Sequence, residues 1–128
     1  MNVADLIKLI HDGLVAAGKT KVPVVAPGTP VTVLPAVELV PTDDELGEGN
    51  RSLRYGFNVT VSVPRASTPE QYEQLVELQA IVLQSLIPST VRFDGPMVYR
   101  PTGELPGEAP ALARIIPVSF AANVDLCP

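Results

Sequence analysis

Between Leu53 and Val63 the chain alternates without a break. Leu53, Tyr55, Phe57, Val59, Val61 and Val63 share one parity, and Arg54, Gly56, Asn58, Thr60 and Ser62 the other. Successive side chains of a strand point to opposite faces. Eleven residues of this pattern therefore specify a strand with one apolar and one polar side. Pro64 ends it, because proline cannot donate to a ladder.

Two segments have helical spacing instead. Near the N-terminus, Val3, Leu6, Ile7, Ile10 and Leu14 fall on one stripe of a 3.6-residue period. Asn2 is a good N-cap, Asp5 lies three residues on, at the positive end of the dipole, and Gly18 is the expected C′ residue. Gly13 weakens the interior of this helix by up to about 1 kcal/mol relative to Ala. The second helix opens at Thr68, with Pro69 at N1 and Gln71 placed to complete a capping box, and it stops before Pro88. Its first half is amphipathic through Tyr72, Leu75, Val76 and Leu78. Its second half, Ala80-Ile81-Val82-Leu83, is apolar nearly all round and must be covered on both sides.

The remaining segments are proline-broken. Residues 22–41 are rich in valine but interrupted by Pro23, Pro27, Pro30, Pro35 and Pro41, which predicts an extended arm and an edge or bulged strand near 31–40. Residues 42–51 form an acidic loop holding Asp43, Asp44, Glu45 and Glu48, with Gly47 and Gly49 for flexibility. Short strands at 90–93 and 97–99 flank Asp94-Gly95-Pro96, a turn or bulge. A Pro/Gly loop spans 101–110. Alternation from Leu112 to Val124 predicts a last strand, in which Pro117 marks a bulge or an edge. The order α-β-β-α-β-β, without repeats, predicts one domain over 1–128. It is of α+β class, an antiparallel or mixed sheet with both helices on one face.

The composition excludes several functions. Nine Lys and Arg against 14 Asp and Glu give a net charge of −5, the wrong sign for a phosphate-neutralising surface. Attraction to DNA would have to come from a few residues such as Arg51, Arg54 and Arg65. One His and one Cys, His11 and Cys127, cannot make a disulfide framework or a Cys/His metal site within one chain. The run 43–48 lacks the ligand spacing of a calcium loop and reads as a solvated surface. No phosphate-cradling glycine motif or GxSxG elbow occurs, so no catalytic, cofactor-binding or metal-binding residue is assigned. Tyr55, Phe57, Tyr72, Phe93, Tyr99 and Phe120 all fall on apolar phases, which predicts core positions. No apolar run has the length or the basic start of a signal or membrane segment. What the chain does have is surplus apolar surface, on helix 69–86 and on the 22–41 arm, which the residues leave open to burial either by other subunits or in a tightly packed monomer core.

These features in this order have a familiar look: a short helix, a proline-broken strand region, an acidic loop, Tyr55-Gly56-Phe57-Asn58-Val59-Thr60-Val61, a helix opening at Thr68-Pro69-Glu70, and a terminal hairpin. The chain resembles the tail terminator (tail completion) proteins of long non-contractile-tailed phages, actinobacteriophage type. The likeness covers nearly all 128 residues in length and element order. It implies a structural virion protein without enzymatic activity or cofactor, found at the tail or neck and, during assembly, in the host cytoplasm. Such a protein forms a ring, usually a hexamer, which caps the tail tube, ends its growth and joins the head-side connector. DNA passes through the lumen without specific binding. The resemblance sets Tyr72, Val76 and Leu83 at a subunit interface with helix-to-sheet contacts, and Asp43, Asp44, Glu45 and Glu48 at a ring face or lumen. Two other readings stay open from the residues: another neck or minor tail subunit, and a monomeric domain binding a small ligand between sheet and helices.

Overall fold

A computed structural model of the chain describes residues 2–46, 53–65, 69–102 and 110–121. Two helices, α1 (Val3–Ala16) and α2 (Pro69–Leu86), accompany seven strands: β1 (Val24–Val25), β2 (Ala36–Pro41), β3 (Glu45–Leu46), β4 (Leu53–Pro64), β5 (Arg92–Phe93), β6 (Val98–Thr102) and β7 (Ala111–Ala121).

The sheet runs β1-β2-β4-β7-β5, with β3 also on β4 and β6 also on β7. β1 lies parallel to β2 and every other pairing is antiparallel. β2 and β3 occupy one edge of β4 in succession, opposite residues 57–62 and 53–54. β5 and β6 follow one another along the outer edge of β7 in the same way. With each interrupted strand taken once, the order is the expected α-β-β-α-β-β, and the short parallel β1 is the addition. The chain is an α+β protein with a mixed sheet.

The alternation of β4 sets the layers. Phe57, Val59, Val61 and Val63 face the helices, opposite Val118, Ile116, Arg114 and Leu112 of β7. Leu39 and Val37 continue this row on β2. Onto it pack Leu6, Ile10 and Leu14 of α1 and Leu75, Leu78, Val82 and Leu86 of α2, in one core cluster. Both helices therefore lie on one face. Phe57 stacks on Phe120 with ring centroids 5.6 Å apart, and Tyr55 meets Phe120 edge-on at 5.9 Å.

Local signals set the helix ends. Asn2 accepts from the Asp5 N–H and the Asp5 carboxylate accepts from the Asn2 N–H, both at 2.9 Å, a closed capping box. At the other end Gly18 has φ +80°, its N–H donates to Val15 O and that of Lys19 to Leu14 O, the Schellman pattern. α2 begins at Pro69 as expected, but the predicted box does not close there: Gln71 Oε1 is buried without a hydrogen-bond partner. Thr68 lies outside the described residues.

Other expectations are corrected. Strand structure in the valine-rich arm is confined to 24–25 and 36–41. Between them Pro27 and Gly28 fill a turn closed by Thr29 N–H on Ala26 O at 3.1 Å. The acidic segment is not all loop, since Glu45 and Leu46 pair with Arg54 and Leu53. Three aromatics predicted for the core, Tyr72, Phe93 and Tyr99, are exposed, because they lie on the outer flank of α2 and on the edge strands rather than over the sheet centre.

Gly13 and Gly56 are sites of close approach. α1 and α2 meet at Gly13, where an added β-carbon would lie 2.9 Å from Ser85 Cβ. At Gly56 the chain leaving β2 passes close against β4, with Thr42 N–H donating to Gly56 O at 2.9 Å. A β-carbon there would come within 2.8 Å of Asp43 O.

Candidate functional site: the outer flank of the second helix and the helix-free face

The buried positions of α2, Leu75, Leu78, Val82 and Leu86, define its core-facing stripe. A second apolar row runs beside them at helical spacing: Tyr72, Val76, Ala80, Leu83 and Ile87. Leu83 packs partly against the core. Tyr72, Val76 and Ile87 are 47%, 44% and 66% exposed. The structure thus brings the three predicted interface residues, Tyr72, Val76 and Leu83, onto one flank. It also adds Ile87, which the sequence reading left beyond the helix.

The row continues onto the outer sheet edge. Tyr99 of β6 meets the Tyr72 ring edge-on at 6.0 Å and takes the Arg114 guanidinium over its face at 5.7 Å. Arg114 also donates from Nε to Gln79 Oε1 at 3.0 Å, and Gln79 Nε2 donates to the Met97 sulfur at 3.3 Å. These polar contacts hold Tyr99 and Met97, both exposed, against the flank of α2.

The edge itself is blunted against further strands. Asp94 N–H donates to Pro117 O at 3.0 Å, so residue 117 turns its main-chain groups toward the outer strands. Its missing N–H falls on that side, and there the outer chain bulges, with residues 94–97 facing only Ile116 and Pro117. Main-chain groups alternate along a strand. Val98, Arg100 and Thr102, opposite residues 115, 113 and 111, therefore turn theirs inward, and Tyr99 and Pro101 turn theirs away from β7. One of those two outward positions is a proline with no donor, which protects an edge against strand addition.

On the helix-free face a charged network spans four strands. Arg92 of β5 bonds Asp94 at 2.6 Å and Glu45 of β3 at 3.1 Å. Arg54 of β4 donates to Ser119 Oγ of β7 at 3.4 Å, and Ser119 in turn bonds the Asp94 carboxylate. Ser119 is only 3% exposed, and this network satisfies it. Burial pushes the Asp94 carboxyl up. The Ser119 hydrogen bond, the Arg92 hydrogen bond and the charges of Arg92 and Arg54 outweigh it, so the pKa falls below its ordinary value of 3.8. The same carboxylates, Asp94 first, raise that of Arg92.

Of the predicted acidic-loop residues, Asp43, Asp44 and Glu45 are exposed, with Glu45 engaged by Arg92, and Glu48 lies outside the described residues. Of the arginines with a possible role toward DNA, Arg54 is tied to Ser119, Arg65 is exposed, and Arg51 lies outside the described residues. Cys127 and most of the Pro/Gly loop, 103–109, lie outside them as well. His11 is exposed on α1. Among the described residues, no group of three or more His, Cys, Asp or Glu side chains is placed to hold a metal, and no helix is long and apolar enough to cross a membrane. Compared with models of known protein families and with curated proteins, the sequence gives no significant match.

Proposed function

We propose that the chain is a structural, non-enzymatic subunit of a phage tail or neck, a tail terminator. It assembles into a homomeric ring, a hexamer, that caps the tail tube, stops its polymerisation and presents a surface to the head-side connector. The observation that carries this reading is the exposed row Tyr72, Val76, Leu83 and Ile87, continued by Tyr99 and Met97. A row of large apolar side chains on a small protein marks a protein-binding surface. The family resemblance supplies the kind of assembly. The paired state of Arg54 and Arg92 and the net charge of −5 suit a lumen that lets DNA pass without gripping it. Localisation to the virion, and to the host cytoplasm before assembly, follows from the same reading.

The test is light scattering on the purified chain, followed by mixing with tail tube protein. A ring gives a mass several times 13.6 kDa and holds tubes at finite length. A monomer that leaves tube growth unchanged refutes the reading.

A further inference from the structure

Beyond Val40 the chain keeps to the edge of β4 but leaves the core. Pro41 lies opposite Phe57, Thr42 N–H donates to Gly56 O at 2.9 Å, and Glu45 lies opposite Arg54. Asp43 and Asp44 therefore face Tyr55 together, two residues against one, which is a bulge. A β-carbon at Gly56 would point to the helix-free face and meet Asp43 O at 2.8 Å, so the bulge bends onto that face.

What holds this segment differs from what holds β2. Val37 and Leu39 of β2 are buried in the core, whereas every residue from Thr42 to Leu46 is exposed. A segment with no buried apolar side chain opens at a small free energy while the rest of a fold stays closed. Its attachments are the Thr42 hydrogen bond, the two-residue ladder of β3 and, among the described residues, one ion pair, Glu45 to Arg92 at 3.1 Å. That pair reaches from β3 to β5 over two intervening strands. The row between them is low, since Arg92 lies opposite Ser119 and Ser119 opposite Gly56, a small side chain and none. Asp94 bonds the same guanidinium at 2.6 Å and so presents it to Glu45.

We propose that residues 42–46 are a strap that opens from the edge of β4 as a unit while the helices and the rest of the sheet stay folded, and that Arg92 is its clasp. Main-chain groups alternate along a strand, so Arg54, like Gly56, turns its N–H and C=O to the strap, and Tyr55 and Phe57 turn theirs to β7. Opening frees the groups of Arg54 and Gly56 and gives the sheet a second edge, one that no proline blunts. The clasp is ionic and half-exposed, so salt sets how often the strap opens. This device belongs to the single protomer and goes beyond the ring reading.

Amide hydrogen exchange on the full chain, followed residue by residue by NMR, tests it. In the wild-type protein Arg54 and Gly56 exchange through a local opening, ahead of Tyr55 and Phe57 on the same strand. Arg92→Gln speeds Arg54 and Gly56 about two- to fivefold, the size of an exposed ion pair, and leaves Tyr55 and Phe57 unchanged. Salt at about 1 M does the same to the wild-type protein and adds nothing to the variant. Equal exchange at all four positions in the wild-type protein overturns the strap. Unchanged rates at Arg54 and Gly56 in Arg92→Gln overturn the clasp. Should Arg92→Gln speed Tyr55 and Phe57 as well, Glu45→Gln decides, because it keeps the Arg92–Asp94 pair: a rise confined to Arg54 and Gly56 upholds the clasp, and any other result overturns it. None of these outcomes touches the ring reading, which light scattering decides.

Discussion

Gly13 and Ser85 touch across the α1–α2 contact so closely that a β-carbon on residue 13 would sit 2.9 Å from Ser85 Cβ. Gly13→Ala gains helix propensity worth up to about 1 kcal/mol. It loses more to overpacking, typically about 1–3 kcal/mol, because the obstacle includes a β-carbon and not only a rotatable hydroxyl. Gly13→Ala is therefore expected to lower stability in urea unfolding. The double variant Gly13→Ala/Ser85→Gly should lose less than the sum of the single changes, because Ser85→Gly removes the obstructing atoms.

Phe120 is fully buried and stacks on Phe57. Phe120→Ala is expected to cost about 3–5 kcal/mol in chemical unfolding. Val76→Asp, on the exposed flank, should leave the unfolding midpoint of the isolated protomer within about 0.5 kcal/mol of wild type. Equal losses from the two would place Val76 in the protomer core.

Gly56 lies beneath the chain that leaves β2. Gly56→Ala drives a β-carbon toward Asp43 O, and a carbonyl fixed in the main chain cannot rotate aside. The expected result is faster amide exchange in residues 42–46 and a loss of about 1–3 kcal/mol.

Asp94 gives the protein an acid-sensitive contact. Its carboxyl pKa is lower in the folded state than its ordinary 3.8, so its contribution is fully present above that value. It is lost as the pH falls through the lower, folded-state pKa. Arg92, half-exposed, is screened by solvent, which holds the contribution to about 1 kcal/mol or less. Asp94→Asn is expected to flatten the stability profile below about pH 4 without moving it near neutrality by more than that amount. A profile as steep as that of the wild-type protein would assign the acid sensitivity to other carboxylates.

DNA binding follows the charge pattern. Arg54 and Arg92 are engaged with Ser119, Asp94 and Glu45, so a fluorescence anisotropy titration at low salt is expected to show no tight, steeply salt-dependent binding. Strong binding abolished by Arg65→Ala would mark a gripping connector instead.

The parts of this fold written in local chemistry could be read from the sequence. The alternation of 53–63 gave β4 and the orientation of its core row, and Asn2, Asp5 and Gly18 gave both ends of α1. Tyr72 and Val76 read from sequence as part of one amphipathic face with Leu75 and Leu78, and only the packing of α2 on the sheet separates the exposed pair from the buried one. What escaped depends on contacts distant in sequence. Gly13 looks like a weak helix residue until Ser85 is placed against it, 72 positions on (85 − 13). The short parallel β1 carries two residues, too few for any period. The network of Glu45, Arg54, Arg92, Asp94 and Ser119 exists only once four strands are in register, and no spacing along the chain announces it.

The proline at position 101 has a consequence for the assembly proposed above. With Pro101 in place, the outward positions of β6 offer a partly folded chain a single N–H, that of Tyr99, so this edge is a poor template for a borrowed strand. In the proposed ring, recognition then rests on side-chain surfaces that exist only after α2 has settled on the sheet, which favours finished copies over unfolded ones.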